Sequence, residues 1–95
     1  MKKQYKLIDG TFEPNEAKNI LFALFNSKIN FHAMESFGIT IRTSGDTSAH
    51  DLRIKQLSKA SSEIMALMRK AEKKNQILKI DGIVTINILS KKNAG

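Results

Sequence analysis

Gln76-Ile77-Leu78-Lys79-Ile80-Asp81-Gly82-Ile83-Val84-Thr85-Ile86-Asn87-Ile88-Leu89 is the stretch that decides the fold. Asp81-Gly82 between two apolar runs is a hairpin signal. A turn there would make the chain a helical pair followed by a C-terminal β-hairpin. Parity argues against the turn. Leu78, Ile80, Val84, Ile86 and Ile88 share one face of an extended chain, with Gly82 in register between them. A two-residue turn would set Lys79 beside Val84 on that face. One long strand keeps the apolar residues together, and its interior glycine is expected to mark a bulge. At about 3.3 Å per residue such a strand exceeds about 40 Å, more than the other strands can match. The surplus needs a partner, and a second copy of the chain is the expected one.

Thr47 to Asn75 precedes it, without a glycine or proline. Leu57, Ala60, Ile64, Leu67, Met68 and Ala71 recur at helical spacing, with Ile54 and Met65 at the margin, and cover an arc of roughly 160°. Lys55, Lys59, Arg69, Lys70 and Lys73 fall on the opposite arc. The apolar arc is broader than a coiled-coil seam and suits packing on a sheet. Thr47 or Ser48 is expected to cap this helix, with Ser48 and Asp51 spaced as in a capping box.

Upstream, Gln4 to Ile8 predicts a short strand ended by the turn residues Asp9-Gly10. Pro14 suits the first position of a helix, and Glu16 suits its first turn. Ala17, Ile20, Leu21, Leu24 and Phe25 form a stripe that ends near Asn26-Ser27. In the middle, Ile29 and Phe31 alternate with Asn30 and His32, and Phe37, Ile39 and Ile41 alternate with Gly38, Thr40 and Arg42. Period-two alternation predicts two strands joined at Ala33 to Ser36; the rival reading extends the first helix to about Glu35. The order strand, helix, strand, strand, helix, strand is that of an α+β, ferredoxin-like βαββαβ domain, its four-stranded antiparallel sheet carrying two helices, the second of them long. The alternative is the helical pair with a C-terminal β-hairpin. Residues 1–95 are expected to form a single domain, with 1–3 and 90–95 disordered.

A chain this short buries only about two-thirds of its unfolded surface, so sharing a core with a second copy is a natural remedy. The absence of cysteine removes disulfides, thiolate metal sites and thiol nucleophiles. The longest apolar run, Ile20 to Phe25, falls far short of the roughly 20 residues a membrane-spanning helix needs. No signal peptide follows the N-terminal lysines, and a cytoplasmic location is expected. Of the net charge of +7, most sits after residue 46, and lysine dominates. Lysine is a hydrated point charge rather than a forked donor, which favours solubility or loose attraction to polyanions over specific recognition.

Four candidate sites stand against plainer accounts. His32 with Glu35 is a possible ligand-binding or acid–base pair, against a capped loop histidine. His50 adds a second imidazole, but two histidines without a third ligand make no catalytic metal set, so neither a metal nor a cofactor is expected. Thr43 to Ser48 precedes a helix N-terminus, where anions bind, yet it lacks the lysine-containing ending of a phosphate loop. The face formed by Lys55, Lys59, Arg69, Lys70 and Lys73 matches a phosphate backbone, against a merely solvated helix back interrupted by Asp51 and Glu63.

The block Leu7-Ile8-Asp9-Gly10-Thr11-Phe12, with Pro14, Glu16-Ala17-Lys18 and Ser27-Lys28-Ile29-Asn30-Phe31-His32, resembles a pattern found in short uncharacterised bacterial proteins. The resemblance covers roughly the first third of the chain. That group has no assigned activity, so it implies no chemistry and transfers no functional residue. The expectation is a non-enzymatic protein that self-associates as a homodimer in an interaction or structural role. The alternative is a nucleic-acid-associated protein using the lysine face.

Overall fold

A computed structural model describes residues 1–91. It runs β1 (Lys2–Phe12), α1 (Pro14–Thr43), α2 (Ser48–Lys73) and β2 (Leu78–Asn87). The ferredoxin-like expectation is therefore corrected: among the described residues there are two strands, not four, and they form one antiparallel sheet. The alternative of a helical pair with a two-stranded β element fits. Its strands come from opposite ends of the chain, however, not from a turn at Asp81-Gly82.

The middle segment is the reason. Lys28 to Ile41, expected to form two strands, is the second half of α1. This helix runs 30 residues, about 45 Å at 1.5 Å per residue. Pro14 opens it, and the Glu16 carboxylate reaches back to accept the Glu13 N–H at 3.1 Å. At its end Ser44 turns left-handed, with φ of 52°, and its N–H bonds the Thr40 carbonyl. Four residues later α2 starts and returns antiparallel, and the two helices pack along their length.

The packed face of α2 is centred on His50, Ile54, Leu57, Ser61, Ile64, Met68 and Ala71, at alternating spacings of four and three that mark a coiled-coil seam, with Ala60 and Met65 half-buried at its flanks. Leu67, assigned to the apolar arc, is 58% exposed. On α1 the matching line is Ala17, Leu21, Phe25, Ile29, His32, Ser36 and Ile39. Asn75 ends α2 in a left-handed conformation with φ of 54°. The Gln76 N–H then bonds the Ala71 carbonyl at 2.9 Å, the six-to-one bond of a Schellman motif.

β2 is one unbroken strand paired with β1 from Lys2↔Asn87 to Phe12↔Leu78. Lys2 and Lys3, expected to be disordered, are thus part of the ladder. The other expected disordered tail falls mostly on residues 92–95, outside the described residues. The irregularity anticipated at Gly82 lies on the opposite strand, between Lys6 and Ile8. There Leu7 is the extra residue. The cause is parity: β2 keeps its apolar side chains in one register, whereas β1 needs both Tyr5 and Ile8 on that face. Skipping Leu7 aligns them, giving cross-strand pairs Phe12–Leu78, Gly10–Ile80, Ile8–Gly82 and Tyr5–Val84 over an apolar face. The reverse face carries Lys79, Asp81, Thr85 and Asn87.

The Cα envelope measures 56 × 34 × 14 Å, with a radius of gyration of 17.4 Å. A compact chain of this length would have about 12 Å. So flat a body encloses little. Among the described residues the buried hydrophobic side chains are Ala17, Leu57, Met68 and Ala71, and no large side chain is fully buried.

Candidate functional site

The most prominent feature of the surface is how much of it is apolar. Two areas carry it. On α1, Phe31, Met34, Phe37 and Ile41 recur at three- and four-residue spacing on the side away from the seam. Their exposures run from 50% at Phe31 to 75% at Met34. A helix with apolar side chains on opposite faces needs a neighbour on each, and α2 supplies one. The second area is the sheet. On its apolar face Ile8, Gly10, Phe12, Leu78, Ile80 and Gly82 are half-buried, because the start of α1 contacts both strands there. Farther out the same face continues through Tyr5, Val84 and Ile86, all exposed.

Near the inter-helix loop the seam turns polar. His32 from α1 and His50 from α2 meet through their Nδ1 atoms at 2.9 Å, with ring centroids 5.2 Å apart. Two facing ring nitrogens at that distance share one proton, one imidazole donating and the other accepting. His32 is buried, and its Nε2 is enclosed without a hydrogen-bond partner. Donation from His32 Nδ1 leaves a bare lone pair inside, and acceptance would leave an orphaned N–H, the rarer arrangement. Burial lowers the His32 pKa first of all; Lys28, His50 and Arg53 lower it further, and Glu35 opposes them weakly. A ring with one nitrogen engaged and the other enclosed has no free atom to offer a substrate.

The structure therefore brings His32 to His50, not to Glu35. Among the described residues Glu35 has no side-chain hydrogen bond or ion pair with His32. Nor does any group of three or more histidine, aspartate and glutamate side chains there have the geometry to hold a metal ion. The sequence hides the pairing because the period-two alternation around His32 predicts a strand; the seam spacing of His50 with Ile54 and Leu57 is the signal that points to it. Asp51 also ties the helices together, accepting from Ser36 Oγ at 3.0 Å and from Thr47 Oγ1 at 2.7 Å.

The loop leading into α2 is filled from within. Asp46 Oδ1 accepts the Ser48 N–H at 2.9 Å and the Ser48 hydroxyl. These bonds hold the Asp46 pKa below the usual carboxylate range, the hydroxyl contributing most. An external anion would have to displace that carboxylate. Lys55, Lys59, Arg69, Lys70 and Lys73 are all exposed, on the side of α2 turned from the seam. Among the described residues the ion pairs are Lys6–Asp9 and Lys79–Asp81, so these five cations are uncompensated.

A shallow hollow of ≈ 640 Å³ lies at the base, between Leu67 and Ala71 of α2 and the Gln76–Lys79 segment. No helix among the described residues is long and apolar enough to cross a membrane. No protein-family model matches the chain, and no curated protein or solved structure matches it either.

Proposed function

We propose that the chain is a non-enzymatic, self-associating protein, a homodimer serving an interaction or structural role in the cytoplasm. The observation that carries this is area. The chain exposes 7637 Å², where a compact chain of its mass exposes about 5,500 Å². The excess, roughly 2,000 Å², is more than twice the ~800 Å² that each partner contributes to a standard interface. Much of it is apolar side chain on the outer face of α1 and the far half of the sheet. An isolated two-stranded sheet is at best marginally stable, so the same association would complete the fold. Equilibrium sedimentation from low to high micromolar concentration tests this. A dimer is expected, and a strict monomer throughout refutes it.

A second reading rests on the five uncompensated cations of α2. They are spaced along about five helical turns, as contacts to a phosphate backbone would be. Duplex DNA and RNA titrated at increasing salt test it: affinity should fall steeply. Changing Lys55, Lys59, Lys70 and Lys73 to Glu should abolish binding, and unchanged binding would dismiss the face.

A further inference from the structure

The two outer edges of the sheet differ in a way that specifies how copies join. Every strand of a two-stranded sheet is an edge, with a row of unpaired backbone groups. Natural proteins guard such rows with lysines. β1 is guarded by Lys2, Lys3 and Lys6; β2 has no charged residue between Gly82 and Ser90. Its backbone there is also turned outward at defined positions. The Ile88 N–H bonds the Met1 carbonyl at 2.8 Å, and the Met1 amino group faces the Ile88 carbonyl at 3.5 Å. Antiparallel ladders alternate residue by residue. Val84 and Ile86 therefore spend their backbone groups on β1, while Ile83, Thr85 and Asn87 present theirs to the open side.

We propose that this open side of β2 pairs with β2 of a second copy, antiparallel about a two-fold axis between Ile83 and Asn87, giving a sheet in the order β1–β2–β2–β1. The inference rests on the self-association reading and makes it specific. One feature favours it beyond the missing charges: a two-fold axis normal to the sheet keeps both apolar faces on the same side, so the exposed Tyr5, Val84 and Ile86 of the two copies form one continuous apolar surface. Pairing through β1 would instead oppose lysine to lysine.

Two measurements test this. Thr85→Pro removes an outward N–H and leaves the β1 ladder intact; Thr85→Val controls for the Gln4–Thr85 side-chain bond. Sedimentation should show the dimer dissociation constant raised roughly 30-fold or more by the proline, from one ladder bond lost per copy, and little changed by valine. Second, the cysteine-free chain allows a clean scan of single cysteines from Ile83 to Asn87, with Lys3→Cys on β1 as control. Mild oxidation should yield disulfide-linked dimer at one position, falling away on either side, and none at Lys3. If Thr85→Pro leaves the dimer intact while Phe37→Lys on α1 dissolves it, self-association stands and the edge pairing is overturned. Crosslinking that is uniform, or as strong at Lys3, overturns it as well. A wild-type chain that stays monomeric leaves the edge to some other chain, and both inferences fall.

Discussion

Two glycines seven residues apart should respond oppositely to alanine, and the contrast tests the long first helix directly. Gly38 lies inside α1 and Gly45 in the loop that follows it; neither has a positive φ. A Cβ at Gly38 would meet only the Arg42 guanidinium, at 3.0 and 3.2 Å. That is the tip of a flexible, exposed side chain, which can swing into solvent at little cost. Against this stands the helix propensity difference, about 0.8–1 kcal/mol in favour of alanine. The net expectation for Gly38→Ala is a gain of about 0.5–1 kcal/mol, or roughly 3–6 °C in Tm for a domain of this size. A Cβ at Gly45 would instead sit 2.8 Å from Thr43 Oγ1 and 3.2 Å from Ile39 Cγ2. Thr43 Oγ1 is held by its bond to the Ile39 carbonyl at 3.0 Å and accepts the Gly45 N–H at 3.1 Å. Crowding a tied group costs about 1–3 kcal/mol, so Gly45→Ala should lower Tm. Thermal melts followed by circular dichroism at 222 nm measure both, run at matched protein concentration because association raises Tm. A lower Tm for Gly38→Ala would refute the helix through this position. Glycine is disfavoured in strands as well as in helices, so the ellipticity at 222 nm, read beside Tm, is what separates the helix from the alternating pattern of Phe37, Ile39 and Ile41.

Three further expectations follow. Leu57→Ala, in the middle of the seam and 8% exposed, should cost about 2–4 kcal/mol in denaturant unfolding, whereas Leu52→Ala, 57% exposed, should cost far less in the monomer. Acid should weaken the fold: the His32 pKa is lowered below its unfolded value of about 6.5, so the contribution of the neutral ring is full above that pH and is lost as pH falls from there through the folded value. His32→Gln should flatten that part of the stability profile, and an unchanged slope would dismiss the histidine as its source. Ile86→Lys, on the exposed half of the apolar sheet face, should weaken self-association in sedimentation and leave the helical content of the dissociated chain unchanged.

Local signals located most of the elements. Pro14 and Glu16 fix one helix start, the glycine-free run from Thr47 to Asn75 predicts α2 nearly to the residue, and parity identifies β2 as one strand despite Asp81-Gly82. What local signals do not carry is which strands pair. β1 and β2 lie about 70 residues apart, joined only by the return of the helices, and nothing in either strand announces the other. The clue was indirect: the apolar parity of β1 breaks between Tyr5 and Ile8 while that of β2 does not, which a bulge opposite Gly82 reconciles. The candidate site was hidden for the same reason. His32 and His50 are 18 residues apart and meet only if the helix carrying the first continues past it.

The misplaced strands and the proposed assembly have one physical source. From Ile29 to Ile41 the apolar residues serve two faces of a helix: Ile29 and Ile39 point to the α2 seam, while Phe31, Phe37 and Ile41 lie on the outer side. Two stripes on opposite sides of a 3.6-residue repeat put apolar residues at intervals of two as well as three and four. The β-branched side chains of Ile39, Thr40 and Ile41 then add strand propensity, and the glycine at 38 lowers helix propensity. A helix with one buried face would have shown a single stripe, and its polar outer side would have betrayed it. The second stripe made the segment resemble strands, and the same stripe stands uncovered at 65% exposure in Ile41 and 66% in Phe37. The chain spends more apolar residues here than its own folded body shelters, and that surplus is what the proposed self-association would cover.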